Sequence, residues 1–344
     1  MPTATFVTTD GVAYAVPAGP DVNLLDAADA AGYTLTSMCR QGGCGVCRAR
    51  RASGVVRVGE HAPDALPPDA EKTGQVLLCR TYATSDVTIE LPYDSTRLAS
   101  AAVPVRQVRI TSIDRWPGGI VAFSVVVVPD AQHGSALQFE AGQFAELTPP
   151  DGAHARVYSF ASIGNWDGTA EFYVKLRPGG YFSEYLRGTA QVGDVLTMRG
   201  PQGAFALHET GRPRWMVCGG TGLAPLMSML RHMADWGETT EARLILGVNR
   251  PDEVFATDAL ADLQASLPSL CVLVPVVEPD ASWDGPVGTA VDVLARELDA
   301  LPAGAVRPDL YLCGPPGFLD AAHAAAASHG VPGDQVFEER VLRN

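Results

Sequence analysis

A chain of 344 residues exceeds one ordinary domain, and division by roughly 150 residues predicts two or three. Its hydrophobic share of 47% allows several packed cores, yet no apolar run approaches the ~18 residues of a membrane span. The net charge of −14 argues against nucleic-acid binding, which needs basic stripes; nine basic against nineteen acidic side chains after residue 207 supply −10 of it, a solubility feature more than a partner signal.

The start MPTATFVTTDG has neither the basic residues nor the apolar core of a secretory signal, so a cytoplasmic protein is expected. TFVTTDGVAYAVP alternates like two strands of a hairpin around Asp10-Gly11, and NLLDAADAAG reads as a short amphipathic helix ended by Gly32. Then MCRQGGCGVCRAR places Cys39, Cys44 and Cys47 in a C-x4-C-x2-C spacing, and Cys79 follows after thirty-one further residues. That is the plant-type [2Fe–2S] ligand pattern, with four thiolates. Gly42, Gly43 and Gly45 suit a loop that must turn tightly, often with positive φ, and bring backbone N–H groups to sulfur. A structural zinc site is the alternative, but it prefers paired CxxC knuckles and only Cys44/Cys47 form one. DVTIELP reads as a closing strand, and the order strand, strand, helix, loop resembles the β-grasp ferredoxin. Arg40 and Arg48 beside the loop are candidates for a docking face. The remaining cysteines, Cys218, Cys271 and Cys313, lie in apolar runs, and an odd total of seven without secretion signals fits a reducing compartment.

LPYDSTRLASAAVP is small and polar, and a linker is placed at 99–104 after a first domain of 1–98. From Val105 to residue 207, short strands with Gly/Pro punctuation (VRQVRITSIDRW, IVAFSVVVV, FEAGQFAELTPP) predict a small antiparallel barrel. RVYSFAS sets Arg156, Tyr158 and Ser159 where one ligand could meet all three: a guanidinium for a pyrophosphate, a ring for a flat heterocycle, a hydroxyl for a ring nitrogen. KLRPGGYFSEYL follows, with Gly179 and Gly180 open to phosphate and Ser183 expected to begin a helix. With GPQGAF, Gly200 to Phe205, this trio resembles the FAD-binding barrel of the ferredoxin–NADP⁺ reductase superfamily. The resemblance implies FAD contacts at Arg156, Val157, Tyr158 and Ser159, at Tyr173, Val174 and Lys175, and at Gly180, Tyr181, Phe182 and Ser183.

Residues 208–344 change rhythm to apolar strand, glycine turn and helix, which predicts a parallel sheet covered on both faces. CGGTGLAP offers Gly220, Thr221 and Gly222 to a pyrophosphate at a strand-to-helix turn, without the G-x-G-x-x-G fingerprint of the common dinucleotide fold. LCGPPGF ends a later strand with Cys313, Gly314 and Pro315; its cysteine in the superfamily lies near the nicotinamide–flavin contact. After the second strand GVNRPDEVF provides only Arg250, beside Asp252 and Glu253, which favours NADH over a 2′-phosphorylated nucleotide. The tail VFEERVLRN keeps Phe337 and Glu338 but has Arg340 and Val341 where family members place a second aromatic over the flavin. Either Phe337 covers that face or it is left open to the nicotinamide.

The expected fold class is α+β and α/β multidomain: β-grasp ferredoxin, antiparallel FAD-binding β-barrel, parallel α/β NAD-binding domain. Across the whole chain this order resembles the reductase components of bacterial multicomponent oxygenases, and ALPPDAEKTGQVLLCRTYATSDVTIELPY resembles those of the soluble methane, alkene and propane diiron monooxygenases. The resemblance implies an enzyme carrying electrons from NADH to FAD to [2Fe–2S] and then singly to a diiron hydroxylase. It places Ser159 at the flavin N5 region and Cys313 and Glu338 along the nicotinamide's approach. A monomer with no membrane or nucleic-acid partner is expected. The rivals are a reductase of a Rieske ring-hydroxylating dioxygenase, a self-sufficient flavin oxidase and a zinc-stabilised adaptor.

Overall fold

The computed structural model describes residues 1–37, 40–95, 103–132 and 134–341, which form two compact units, Met1–Pro104 and Val105–Val341. Cys39 and most of the stretch at 99–104 lie outside the described residues.

The first unit contains β1 (Thr3–Val7), β2 (Ala13–Pro17), α1 (Leu24–Ala30), β3 (Arg48–Ser53), β4 (Val56–Val58), α2 (Pro68–Lys72), β5 (Gln75–Leu77), β6 (Thr81–Ala83) and β7 (Val87–Glu90). A five-stranded sheet runs β2-β1-β7-β3-β5, and β4 pairs with β6 as a separate ribbon. The hairpin forms as its alternation predicts: Ala4 and Phe6 face inward, while Gly11 at φ 81 closes the turn. Asn23 caps α1, its side-chain oxygen accepting from Asp26 N at 2.9 Å, and the helix buries Leu24, Leu25, Ala27 and Ala28 against the sheet's core.

In the second unit a six-stranded antiparallel sheet comes first: β8 (Val105–Trp116), β9 (Ile120–Val127), β10 (Phe144–Thr148), β11 (Arg156–Ser159), β12 (Thr169–Lys175), the short helix α3 (Tyr181–Glu184) and β13 (Val195–Gln202). Its order, β11-β10-β13-β8-β9-β12, leaves β11 and β12 as the two edges. Those edges meet just past β11, where Phe160 pairs with Phe172 and Ala161 N donates to Glu171 O at 2.8 Å. The sheet is thereby a barrel with a narrow seam, filled by Phe123, Phe160, Phe172 and Phe182.

The rest is β14 (Arg214–Gly219), α4 (Leu223–Asp235), β15 (Ala242–Gly247), α5 (Thr257–Ser266), β16 (Leu270–Leu273), α6 (Ala290–Asp299), β17 (Asp309–Gly314), α7 (Pro316–Ser328) and β18 (Val336–Arg340). All neighbours in the sheet order β16-β15-β14-β17-β18 are parallel. β17 is buried throughout and β14 up to Cys218, as the continuous apolar runs WMVC and LYLC demand of strands covered on both faces. α4 and α5 pack on one face and α6 and α7 on the other. The chain proceeds outward from β14 in one direction and resumes at β17 in the other, so the strand order reverses between these two, and ligands of such sheets bind at the carboxyl ends there. Among the described residues no helix is long and apolar enough to cross a membrane.

Gly142, in the barrel, has a φ of 104°, and a Cβ there would lie 2.2 Å from Phe205 O and 2.6 Å from Met229 Cε on α4. Gly142→Ala is therefore expected to destabilise this unit by about 2 kcal/mol or more, combining a strained φ with a backbone clash. Urea unfolding measures it, and an unchanged midpoint would refute the tight approach.

Candidate functional site

Two thiols of the first unit meet where its cysteine loop packs against the turn after β5, and a third lies buried earlier in that loop. Cys44, Cys47 and Cys79 are all buried, and Cys47 Sγ lies 3.3 Å from Cys79 Sγ. That is far beyond the ~2.05 Å of a disulfide. It is close to the roughly 3.7 Å between two thiolates on one tetrahedral metal with bonds of about 2.3 Å. Val46 N–H donates to Cys44 Sγ at 3.4 Å, the kind of N–H···S contact that favours an anionic sulfur. Gly42 and Gly45 both take positive φ, 78° and 75°; at Gly42 a Cβ would come within 2.8 Å of the Arg80 side chain and 3.1 Å of Glu60 O. Among the described residues no three acidic, His or Cys side chains are positioned to hold a metal ion by themselves, and Cys39, the fourth thiol of the spacing, lies outside them. The described thiols fit a thiolate-held cluster: all three are buried and not cross-linked, and Cys47 and Cys79 are adjacent.

Arg40 and Arg48, two of the charges near the loop, turn to partners within the first unit. Arg40, at φ 53, sends its guanidinium to Asp29 at 2.6 Å and to Asp26 on α1, leaving the side chain 12% exposed. Arg48 donates to the Ala65 carbonyl. Each guanidinium makes its contacts within the fold, which counts against the docking role expected from their charge.

On the barrel, β11 carries Arg156, Val157, Tyr158 and Ser159, all half-buried. The Tyr158 ring packs on Phe182, centroids 4.9 Å apart, and burial raises its hydroxyl pKa against the opposing pull of Arg156 and Arg177. Among the described residues neither of those guanidinium groups is paired with a carboxylate; Arg156 donates only to the Ala155 carbonyl. Two uncompensated cations flanking a tyrosine fit a pyrophosphate-bearing flavin. Gly179, at φ 73, has nothing within 4 Å of where a Cβ would stand, which leaves its backbone open to a ligand.

Other expected contacts take different roles. Ser183 does not begin the helix: α3 starts at Tyr181 with Gly180 as its cap. Ser183 Oγ accepts from Arg177 N at 3.0 Å and so closes the turn that presents Gly179 and Gly180. Tyr181 bonds Asp151, and Phe182 sits in the barrel core. On β12, Val174 points into that core, Tyr173 packs on Trp116 at 4.9 Å toward the parallel sheet, and Lys175 donates to the Gly118 carbonyl.

In the parallel sheet, Gly220, Thr221 and Gly222 form one tight turn between β14 and α4. Gly220 has φ 54 and open space beside it, whereas a Cβ on Gly222 would lie 2.4 Å from Cys313 O. The turn after β14 therefore abuts the end of β17, where Cys313, Gly314 and Pro315 lead into α7. These two glycine turns meet at the reversal of strand order and fit a dinucleotide. Cys313 is fully buried opposite Cys218 on β14; burial, then the nearby Glu339 and Cys218, push its thiol well above the ordinary value. Cys218 is buried likewise, while Cys271 is exposed on β16.

The tail requires a correction. β18 pairs in parallel with β17, and its side chains alternate. Glu338 faces α7, where its carboxylate meets His323 Nε2 at 2.7 Å and accepts from Arg340 at 3.1 Å. Glu339 is the acid that turns toward the barrel: it is buried, stands opposite Cys313, and accepts from Ser159 Oγ at 2.7 Å. Burial raises its carboxyl to about 7, opposed by the Ser159 bond. Phe337 shares the Glu339 face but stacks between His208, 4.0 Å away, and Tyr311, 5.2 Å away, so it is engaged inside the domain. The sequence carried the signal for Glu339, since with Phe337 inward a period of two puts residue 339, not 338, on the same face.

Known proteins resemble the chain along its whole length. A 2Fe-2S iron–sulfur cluster binding domain matches residues 7–84, an oxidoreductase FAD-binding domain 123–207 and an oxidoreductase NAD-binding domain 216–324. Methane monooxygenase component C of Methylosinus trichosporium is 36% identical over 267 residues, 77% of this chain and 78% of the relative. The propane 2-monooxygenase reductase component of Rhodococcus jostii (strain RHA1) is 32% identical over 94% of this chain and 87% of its own. Among solved structures, the ferredoxin reductase in carbazole 1,9a-dioxygenase superposes with a TM-score of 0.77 at 26% identity, covering 98% of both chains.

A buried carboxyl with a raised pKa makes stability depend on pH in a known direction. The folded chain keeps the Glu339 proton to about pH 7, whereas the unfolded chain releases it near 4.5. This group's contribution therefore falls as pH rises from about 4.5 to about 7 and is level above, by up to about 3 kcal/mol in all. In Glu339→Gln that component of the slope should vanish, which unfolding midpoints of both proteins across this pH range would show. Parallel pH profiles would mean that Glu339 does not hold its proton.

Proposed function

The chain belongs to the family of iron–sulfur flavoprotein reductases that serve oxygenases as electron-transfer components, and from that membership we propose that it carries electrons from NADH, through FAD and a [2Fe–2S] cluster, one at a time to a carboxylate-bridged diiron hydroxylase of a hydrocarbon monooxygenase. The observation that carries the reading is a single bridge: Ser159 of the flavin strand bonds Glu339 of the dinucleotide sheet beside Cys313. The strand assigned to the flavin and the last strand of the parallel sheet thus meet at a buried point. We assign residues 1–98 to the cluster, 105–207 to FAD and 208–344 to the nicotinamide nucleotide, and take the chain to act as a monomer.

When bound, FAD supplies hydride acceptance and the cluster supplies single-electron carriage. The protein's own part is binding, orientation and proton holding. Arg156 and Arg177 draw the flavin's phosphates to the barrel, with Tyr158 along the heterocycle. Ser159 donates to Glu339, and the hydroxyl keeps an acceptor side for a ligand that enters beside it. Glu339, with a carboxyl titrating near neutrality, can hold a proton there at physiological pH. Cys313, buried and neutral, gives the nicotinamide's approach a small apolar wall without a competing nucleophile. Cys39, Cys44, Cys47 and Cys79 would hold the cluster.

NADH is the expected donor for an electrostatic reason. Arg250, the one cation between β15 and α5, is engaged by Asp252 at 3.1 Å and Glu253 at 3.7 Å, and Glu278 adds a third negative charge nearby. A 2′-phosphate would meet net negative charge. For the acceptor, the support is the likeness to the methane and propane monooxygenase components. The likeness to the carbazole dioxygenase reductase favours a second reading, in which a Rieske ring-hydroxylating dioxygenase receives the electrons.

The purified protein should be brown-yellow and bleach on anaerobic addition of NADH. The kcat/KM for NADH should exceed that for NADPH by about tenfold or more, and a preference for NADPH would sink the charge argument. Cys79→Ser should abolish electron delivery to an oxygenase while leaving NADH-to-dye reduction largely intact. Turnover supported with a diiron hydroxylase but not with a Rieske oxygenase identifies the acceptor, and the reverse result selects the second reading.

A further inference from the structure

Beyond the Ser159–Glu339 bridge, a second set of polar contacts joins the two halves of the larger unit, and it falls on the barrel's seam. Ser228 and Arg231, one turn apart on α4, both reach the segment that directly follows β11. Ser228, completely buried, donates through Oγ to Ser162 O at 2.5 Å. Arg231 Nη1 donates to Ala161 O at 2.9 Å and pairs with the Glu171 carboxylate across the seam. Glu171 in turn donates through its backbone N to Ser162 Oγ at 3.1 Å and accepts from Tyr173 Oη at 3.3 Å. Two adjacent carbonyls and a carboxylate are thus gripped from one helix.

Adhesion alone does not call for this. The same helix already presses Met227, Met229 and Leu230 into an apolar core shared with Tyr173 and Phe205. A half-buried ion pair is weak evidence for added stability, because desolvation offsets its attraction; what it fixes well is registry. Registry matters here because of what lies at either end. Ala161 is two residues past Ser159, roughly 7 Å along the strand. Arg231 is nine residues past Gly222, about 13 Å down a helix whose first turn is held against the Cys313 carbonyl. The grip on Ala161 and Ser162 therefore sets how far the Gly220–Gly222 turn stands from the Arg156–Ser159 strand.

We propose that Arg231, assisted by Ser228, is a positioning residue for hydride transfer: by clamping the Ala161–Glu171 seam to α4 it fixes the separation between the dinucleotide turn and the flavin strand. This rests on the reductase reading above. A misplacement of about 1 Å can cost around a hundredfold in such a step, even from groups that touch neither reactant. The positioning is separable from binding, because neither side chain belongs to the strand or the turns assigned to the nucleotides.

The test uses the full-length holoprotein with Arg231→Met, Arg231→Lys and Ser228→Ala. Under anaerobic rapid mixing with NADH, Arg231→Met should slow flavin bleaching by about 10- to 100-fold, with KM for NADH within about threefold of wild type and FAD content unchanged. Arg231→Lys, which keeps the cation but loses the fork, should recover part of the rate. Amide exchange at Ala161 and Ser162, measured also on flavin-stripped protein, should quicken in both Arg231 variants. The inference is overturned if bleaching keeps its wild-type rate, or if its loss merely tracks loss of FAD. Should Arg231→Met fail to fold, Ser228→Ala decides: about a threefold or greater slowing with FAD retained supports the clamp, and an unchanged rate overturns it. A wild type that NADH does not bleach would overturn the reductase reading itself, and the clamp with it.

Discussion

Glu339 lies with its carboxyl buried between the barrel and the parallel sheet, and a buried carboxyl must keep its proton or find a donor. This one does some of each. Its pKa rises to about 7, and Ser159, the last residue of β11, donates to it. Because the donor is on the barrel and the acceptor on the last strand of the sheet, satisfying one side chain ties the two halves together at the point where both nucleotide sites end. Removing Ser159 would leave the buried Glu339 carboxyl, opposite Cys313, without its donor.

Backbone proximity reinforces that tie. Gly222 admits the Cys313 carbonyl and Gly142 admits that of Phe205, two places where any side chain would force main chain apart. Chemistry and packing therefore ask for the same thing: two glycine turns that touch each other, and a helix, α4, whose start is fixed by the first contact and whose middle is gripped by the barrel seam. The seam is itself narrow, one bridged pair and one backbone hydrogen bond, which is why clamping it from outside has leverage on β11.

The five buried cysteines among the described residues divide by environment. Cys47, at the end of a loop shaped by positive-φ glycines, lies 3.3 Å sulfur to sulfur from Cys79 in the turn after β5, with Cys44 receiving an N–H from Val46. Cys218 and Cys313 sit opposite each other on buried strands with their thiols pushed up by desolvation, which suppresses the reactive thiolate. The same atom type is thus poised for a cluster in one unit and held inert in the other, and burial in apolar surroundings without donors makes the difference.

By itself the sequence determined whatever depends on spacing and local conformation. The C-x4-C-x2-C pattern, the Asp10-Gly11 hairpin, the Asn23-capped helix, the buried WMVC and LYLC strands and the glycine turns after them are each written in a few neighbouring residues. Tertiary structure decided which way side chains face and who their distant partners are. Arg40 and Arg48 read as surface charge, yet one is consumed by Asp26 and Asp29 and the other by the Ala65 carbonyl. Phe337 read as a cover for the flavin, yet His208 and Tyr311, far off in the chain, enclose it. Glu338 gave way to Glu339 because strand alternation acquires a direction only when β18 docks on β17 between two different faces. Arg231 and Ser228 had no motif at all, because their partners Ala161, Ser162 and Glu171 lie some sixty to seventy residues away. Contacts between remote segments are set by how the barrel's edges close and where α4 falls across them, and no local pattern encodes that.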